Sequence, residues 1–257
     1  MNKLQKLLNK KNKSKIVCLT AYSKNIASIL DNHCDIVLVG DSLGSVLYNF
    51  KSTRSVTLDM MIEHSKSVRM GIKKSFMVVD MPFNTYRNNK EALINAKKII
   101  SETRCNAVKL EGGKKVLNII KTLVKNKIPV MGHLGLLPQS HKGKFRYQGK
   151  NTLEKNKILK ESKLLEAAGV FSIVLECVET SLAKLITKTL RIPTIGIGAS
   201  IHCDGQVLVI DDLIGLNQIN VRFIKKYINI NKVINKAVSD FTKDVKKKKF
   251  PKKKHSY

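Results

Sequence analysis

Eight short apolar runs, most of them rich in β-branched residues, recur along the chain with helix-like segments between most of them. This alternation restricts the fold more than any other feature. The runs are KIVCLTAY (15–22), DIVLVG (35–40), FMVVD (76–80), AVKLEG (107–112), IPVMGHLG (128–135), FSIVLE (171–176), PTIGIG (193–198) and QVLVI (206–210). Near-continuous apolar runs are what parallel strands need when both faces are buried. The segments SKNIASILDNH, TLDMMIEHSKSVRMGI, KEALINAKKIISETR, KKVLNIIKTLVKN, TLEKNKILKESKLLEAAG and TSLAKLITKTL place apolar residues at helical spacing. Thr57 is well placed to cap the second of them. Eight strands alternating with helices predict an α/β chain closed into a (β/α)8 TIM barrel. A doubly wound open sheet is the alternative, which alternation alone does not exclude. A length of 257 residues suits one such domain. The expectation is a single barrel over 1–257, with a basic N-terminal segment (1–14) and a Lys-rich tail (243–257).

Charge is the second constraint. Lys and Arg number 48 against 19 Asp and Glu, a formal net charge of +29. The first fifteen residues carry six Lys and the last fifteen carry eight. Such a field binds RNA or anionic lipid without specificity. With only 5% aromatic residues, and none interleaved with the basic runs as a stacking platform, compositional drift toward Lys and Asn is the simpler account. No specific nucleic-acid partner and no membrane partner are expected. No apolar stretch reaches the length of a membrane span, and MNKLQKLLNKKNKSK lacks the apolar core of a secretory signal. The five cysteines (18, 34, 105, 177 and 203) contain no CxxC pair. They read as free thiols in a reducing compartment.

The polar residues at the strand ends carry the functional signal. The second run stops at Asp41 and Ser42, and the third at Asp80. The fourth bears Lys109 and, two residues on and so on the same face, Glu111. The fifth ends near His133 and the sixth at Glu176. The C-terminal ends of barrel strands form the active-site face, so four carboxylates, a lysine, a histidine and a hydroxyl meet at one mouth. Crowded carboxylates without paired thiolates suit a hard cation such as Mg²⁺. That cation would chelate a 2-oxo acid and stabilise its enolate. Lys109 would hold the substrate carboxylate, and a remaining carboxylate would act as general base. Each residue also has a plainer reading. Asp41 alone suits a helix cap, KLE a salt-bridged rim, His133 a satisfied core histidine, and GIGAS and Asp204-Gly205 tight turns. The coincidence of four acid-terminated strands favours the site. The long polar segment LLPQSHKGKFRYQGKN (136–151) fits a functional loop over it.

In sequence order, the motifs LTAY, VGDSLG, TLDMMIEHSKSV, VVDMPF, AVKLEGG, PVMGHLGLLPQS, YQGK, IVLEC, IPTIGIGAS and CDGQVLV resemble those of the ketopantoate hydroxymethyltransferases, from about residue 14 to the end. The resemblance implies a Mg²⁺-dependent TIM barrel, usually a cytoplasmic homodecamer. It implies hydroxymethyl transfer from 5,10-methylenetetrahydrofolate to 3-methyl-2-oxobutanoate, giving 2-dehydropantoate for pantothenate synthesis. It further implies Asp41, Asp80 and Glu111 as the Mg²⁺ site. Asp41, Ser42, Asp80 and Lys109 would be the substrate contacts, and Glu176 the proton acceptor. The chain departs from the family pattern at Glu179, where Pro is common, at Ser200, where Gly is common, and at Tyr147, where an aliphatic residue is typical. Two other functions compete: a Mg²⁺-dependent 2-oxo acid barrel of the phosphoenolpyruvate lyase type, and a basic protein bound to RNA or a membrane surface.

Overall fold

In the computed structural model, which describes residues 1–257 apart from 141–145, 218 and 220, all eight runs become strands within two residues of their expected ends. They are β1 (Ile16–Thr20), β2 (Ile36–Val39), β3 (Phe76–Asp80), β4 (Ala107–Glu111), β5 (Val130–Gly135), β6 (Ser172–Glu176), β7 (Thr194–Ile197) and β8 (Gly205–Leu208). Each pairs in parallel with its neighbour in sequence, and β8 returns to β1, so the sheet is a closed barrel. The open-sheet alternative is excluded. The closing seam pairs Ile16 with Gly205 and Cys18 with Val207. A Cβ on Gly205 would lie 2.5 Å from the carbonyl oxygen of Ile16, so closure at this register requires glycine.

The barrel interior follows the two-residue period of a strand. Ile16, Cys18, Ile36, Leu38, Phe76, Val78, Ala107, Met131, Val174, Ile195 and Val207 form one buried cluster. Phe76 and Phe171 meet edge to face at 5.4 Å. The helices are α1 (Lys3–Leu8), α2 (Lys24–Leu30), α3 (Leu43–Tyr48), α4 (Leu58–Gly71), α5 (Asn89–Thr103), α6 (Leu117–Lys125), α7 (Thr152–Ala167) and α8 (Thr180–Thr189). Thr57 caps α4 as expected, accepting from the Met60 N–H, and Asn88 and Asn151 cap α5 and α7 in the same way. β7 reaches β8 without a helix.

The basic segment 1–14 forms the floor of the barrel. Leu7 of α1 is buried, and Leu4 and Leu8 pack against the interior cluster. The lysines take up acceptors at the strand entrances. Lys3 donates to the carbonyls of Lys73 and Ser75. Lys10 pairs with Asp35 at 2.6 Å and Lys11 with Asp204 at 2.7 Å. Lys15 donates to the Ile201 carbonyl. No apolar periodicity in so short and charged a stretch announces this role.

Residues Met1–Val209 make one compact unit and Ile210–Tyr257 a second. The second contains α9 (Ile210–Leu213) and α10 (Ile230–Lys246). Along α10 the apolar residues Val233, Ile234, Val238, Phe241 and Val245 form an exposed stripe at helical spacing. No helix among the described residues is long and apolar enough to cross a membrane.

Candidate active site

The mouth of the barrel is the next layer of the same alternation. Two residues beyond Val78, Ala107, Met131 and Val174 of the apolar layer stand Asp80, Lys109, His133 and Glu176. Inward-facing positions thus change from apolar to ionisable in a single step along four adjacent strands. Asp80, Lys109, Glu111, His133 and Asp41 are each at most 5% exposed. Glu176, at the rim, is partly open to solvent. Asp41 and Ser42 lie in the turn from β2 into α3.

Lys109 Nζ donates to Asp80 Oδ1 at 2.8 Å, and the backbone N–H of Asp41 donates to Asp80 Oδ2 at 3.1 Å. Lys109 is therefore salt-bridged to the residue it pairs with on the neighbouring strand β3, and both side chains are buried rather than on an open rim. The Asp41 carboxylate does not serve as a simple cap; it accepts from Gln139 Nε2 at 2.8 Å. Glu111 Oε2 accepts from the Gln139 backbone N–H at 3.0 Å. His133 lies between two carboxylates, with Nδ1 3.6 Å from Glu111 Oε1 and Nε2 3.2 Å from Glu176 Oε2. Neither ring nitrogen makes an aligned hydrogen bond, so His133 is not the satisfied core histidine that a lone His suggests. Ser42 Oγ and the Tyr22 hydroxyl are hydrogen-bonded at 2.8 Å.

Burial and crowding set the charge state of this cluster. Burial, reinforced by the neighbouring Asp80 charge, pushes the Asp41 carboxyl up to about 7. Burial and the Asp41 charge likewise push Glu111 well above the carboxylate range. Burial lowers Lys109, but Asp80, Glu111 and Asp41 outweigh it and hold the ammonium charged. Burial and Lys109 keep His133 below its ordinary value, against the pull of Glu176. Fully ionised, four carboxylates against one lysine would carry an excess of negative charge, which the raised Asp41 and Glu111 carboxyls resist. A hard cation among the same oxygen donors would relieve it. Among the described residues no three His, Cys, Asp or Glu side chains already converge as a metal-holding group. Mg²⁺ is commonly held by only one or two carboxylates, with substrate and water completing its shell.

Residues 1–253 match the profile of the ketopantoate hydroxymethyltransferases. The chain belongs to this family. It is 73% identical over 255 residues to a 3-methyl-2-oxobutanoate hydroxymethyltransferase of Pelagibacter ubique (strain HTCC1062), covering 99% of each chain. To the protein of the same name from Rhizobium etli it is 48% identical over 246 residues, covering 94% of this chain and 90% of that one. Among solved structures, phosphonopyruvate hydrolase in complex with oxalate and Mg²⁺ superposes with a TM-score of 0.62 at 10% identity, over 99% of this chain and 93% of that one. A 2,3-dimethylmalate lyase does so with a TM-score of 0.62 at 11% identity, over 98% and 87%. At such identities the likeness shows the barrel fold alone. Family membership favours the transferase reading over the lyase and over the RNA- or membrane-surface alternatives.

Two departures from the ketopantoate hydroxymethyltransferase pattern are absorbed locally. Glu179 caps α8, its carboxylate accepting from the backbone N–H groups of Ser181 and Leu182. Ser200 is buried, and its hydroxyl accepts from the His202 N–H. The sequence reading misses three participants: Gln139, Tyr86 and Tyr22. Gln139 is 2% exposed and touches two of the site carboxylates. Its only sequence signal is an uncharged amide at the start of the 136–151 segment, whose middle, 141–145, lies outside the described residues. The near end of that segment reaches the site through Gln139. The far end is tied beside Glu176, where the Gln148 N–H donates to the Cys177 carbonyl and the Glu179 N–H to the Gln148 carbonyl.

Proposed function

We propose that this chain transfers a hydroxymethyl group from 5,10-methylenetetrahydrofolate to 3-methyl-2-oxobutanoate, giving 2-dehydropantoate for pantothenate synthesis. The observation that carries this reading is the buried Asp41–Asp80–Glu111 cluster with Lys109, facing the rim carboxylate Glu176. Asp41 and Asp80 would hold Mg²⁺, with Glu111 beside it. The joint orientation of Asp41 and Asp80 supports this, since the backbone of one donates to the carboxylate of the other. When bound, Mg²⁺ supplies Lewis-acid polarisation of the oxo-acid oxygens.

The protein groups do the rest. Lys109, kept charged by its acidic neighbours, offers its ammonium to the substrate carboxylate and to the charge that develops on the enolate. The Ser42 hydroxyl, oriented by Tyr22, donates to the oxo acid. Glu176 removes the C3 proton, with the His133 Nε2 at 3.2 Å from its Oε2. The folate methylene bridge opens to an iminium as its bond to one folate nitrogen breaks and that nitrogen takes a proton. The C3 carbanion attacks the methylene carbon, the C–C bond forming as the C=N electron pair returns to the second nitrogen. Water then displaces that nitrogen, which leaves with its electron pair and takes a proton, and supplies the hydroxyl.

Five free cysteines support a cytoplasmic setting. The exposed α10 stripe and the family resemblance support a homo-oligomer, with a decamer the expected size. The test is a coupled assay of purified protein with both substrates, with Mg²⁺ or with EDTA. Metal-dependent 2-dehydropantoate formation is expected. A folded protein that forms none would overturn the reading.

A further inference from the structure

We propose that Gln139 is a positioning residue. It latches the segment that follows β5 onto the acidic cluster and holds the Asp41 and Glu111 carboxylates in fixed, separate orientations. One residue supplies both donors: its side-chain Nε2 serves Asp41 Oδ2 at 2.8 Å and its backbone N–H serves Glu111 Oε2 at 3.0 Å. The same Nε2 also donates to the Met81 carbonyl at 3.0 Å, so both amide hydrogens are committed. The amide oxygen accepts from the Tyr86 hydroxyl. That contact fixes which end of the amide faces Asp41, because the hydroxyl proton needs the oxygen and leaves the nitrogen for the carboxylate. Every polar atom of a buried side chain is thus used, and a network so fully satisfied specifies one geometry. Two crowded carboxylates gain a neutral donor between them, where a second lysine would compete with a cation and an apolar residue would leave Asp41 without that donor.

Gln139→Met keeps the volume and the backbone N–H but removes the amide. Tyr86→Phe keeps the amide but removes the group that orients it. Hydrogen exchange over residues 136–140 is measured first, on metal-free and substrate-free protein. Gln139→Met is expected to speed exchange there about tenfold, and Tyr86→Phe by a smaller factor, with the barrel strands unchanged. In turnover, Gln139→Met is expected to lower kcat about tenfold while the oxo-acid KM stays within about threefold, the mark of misoriented groups rather than lost binding. Parent-like exchange in both variants overturns the latch. So does a parent-like kcat in Gln139→Met. Should Gln139→Met fail to fold, Tyr86→Phe decides alone by the same exchange readout. The kinetic arm rests on the proposed function and the exchange arm does not, so an inactive parent protein would count against that function while the latch is still decided.

Discussion

Both ends of the barrel hold buried acids and treat them in opposite ways. At the floor, Asp31 accepts from the backbone N–H groups of Lys73, Lys74 and Ser75. Asp204 accepts from Lys11, from the Thr194 N–H and from the Thr194 hydroxyl. Burial pushes Asp31 up, but the backbone donors of Ser75, Lys73 and Lys74 outweigh it and hold the carboxyl below the usual range. At the mouth, Asp41 and Glu111 have fewer donors and more negative neighbours, and both are pushed up. A carboxylate surrounded by donors stabilises the fold. Carboxylates crowded together cost stability and gain reactivity, and active sites show the second pattern.

This contrast can be broken by substitution. The largest effect is expected at the mouth: Glu176→Gln lowers kcat by ~10²–10⁴ and leaves the urea unfolding midpoint near the parent value. Near-normal turnover would remove Glu176 from the base role. At the floor, Asp204→Ala strands Lys11 and is expected to cost about 3–5 kcal/mol of stability in denaturant titrations. The kcat of whatever remains folded should be unchanged. Lost turnover without lost stability would erase the division between the two ends. A smaller cost, about 1–3 kcal/mol, is expected for Asp31→Asn, and it should depend on pH. Because the folded carboxyl lies below its ordinary value of 3.8, its stabilisation is complete above that value and is lost as pH falls through the folded one. The parent and Asp31→Asn unfolding curves should therefore converge in acid. The smallest effect is expected outside the barrel unit. Replacing Lys247, Lys248 and Lys249 with Gln should change stability by less than about 0.5 kcal/mol, since all three side chains are exposed. A large loss there would give the tail a docking role like that of the N-terminal lysines.

Much of this molecule is written in local pattern. The strands and most of the barrel helices follow from apolar periodicity, and Thr57 is legible as a cap, because burial on a strand or helix face imposes its repeat directly on the chain. The four site carboxylates, with Lys109, are legible for a related reason. An acid ending an apolar run breaks the rule that governs the run, and four such breaks in one chain mark one face. Other features leave no local trace. A helix-free β7–β8 link and a glycine at the closing seam identify the barrel only when Ile16 and Gly205 are seen side by side. Two lysines of equal appearance, Lys11 and Lys248, differ only because one meets a buried carboxylate and the other meets solvent. His133 reads as core until Glu111 and Glu176, 22 positions before it and 43 after it in sequence, are found on either side of its ring. Gln139 reads as loop until its amide is found between Asp41 and Tyr86. By itself the sequence determined the elements, their alternation and the family, because those depend on neighbours in the chain. Closure of the sheet, the partner of each charge and the orientation of the site depend on residues far apart in sequence, and only the tertiary structure decided them.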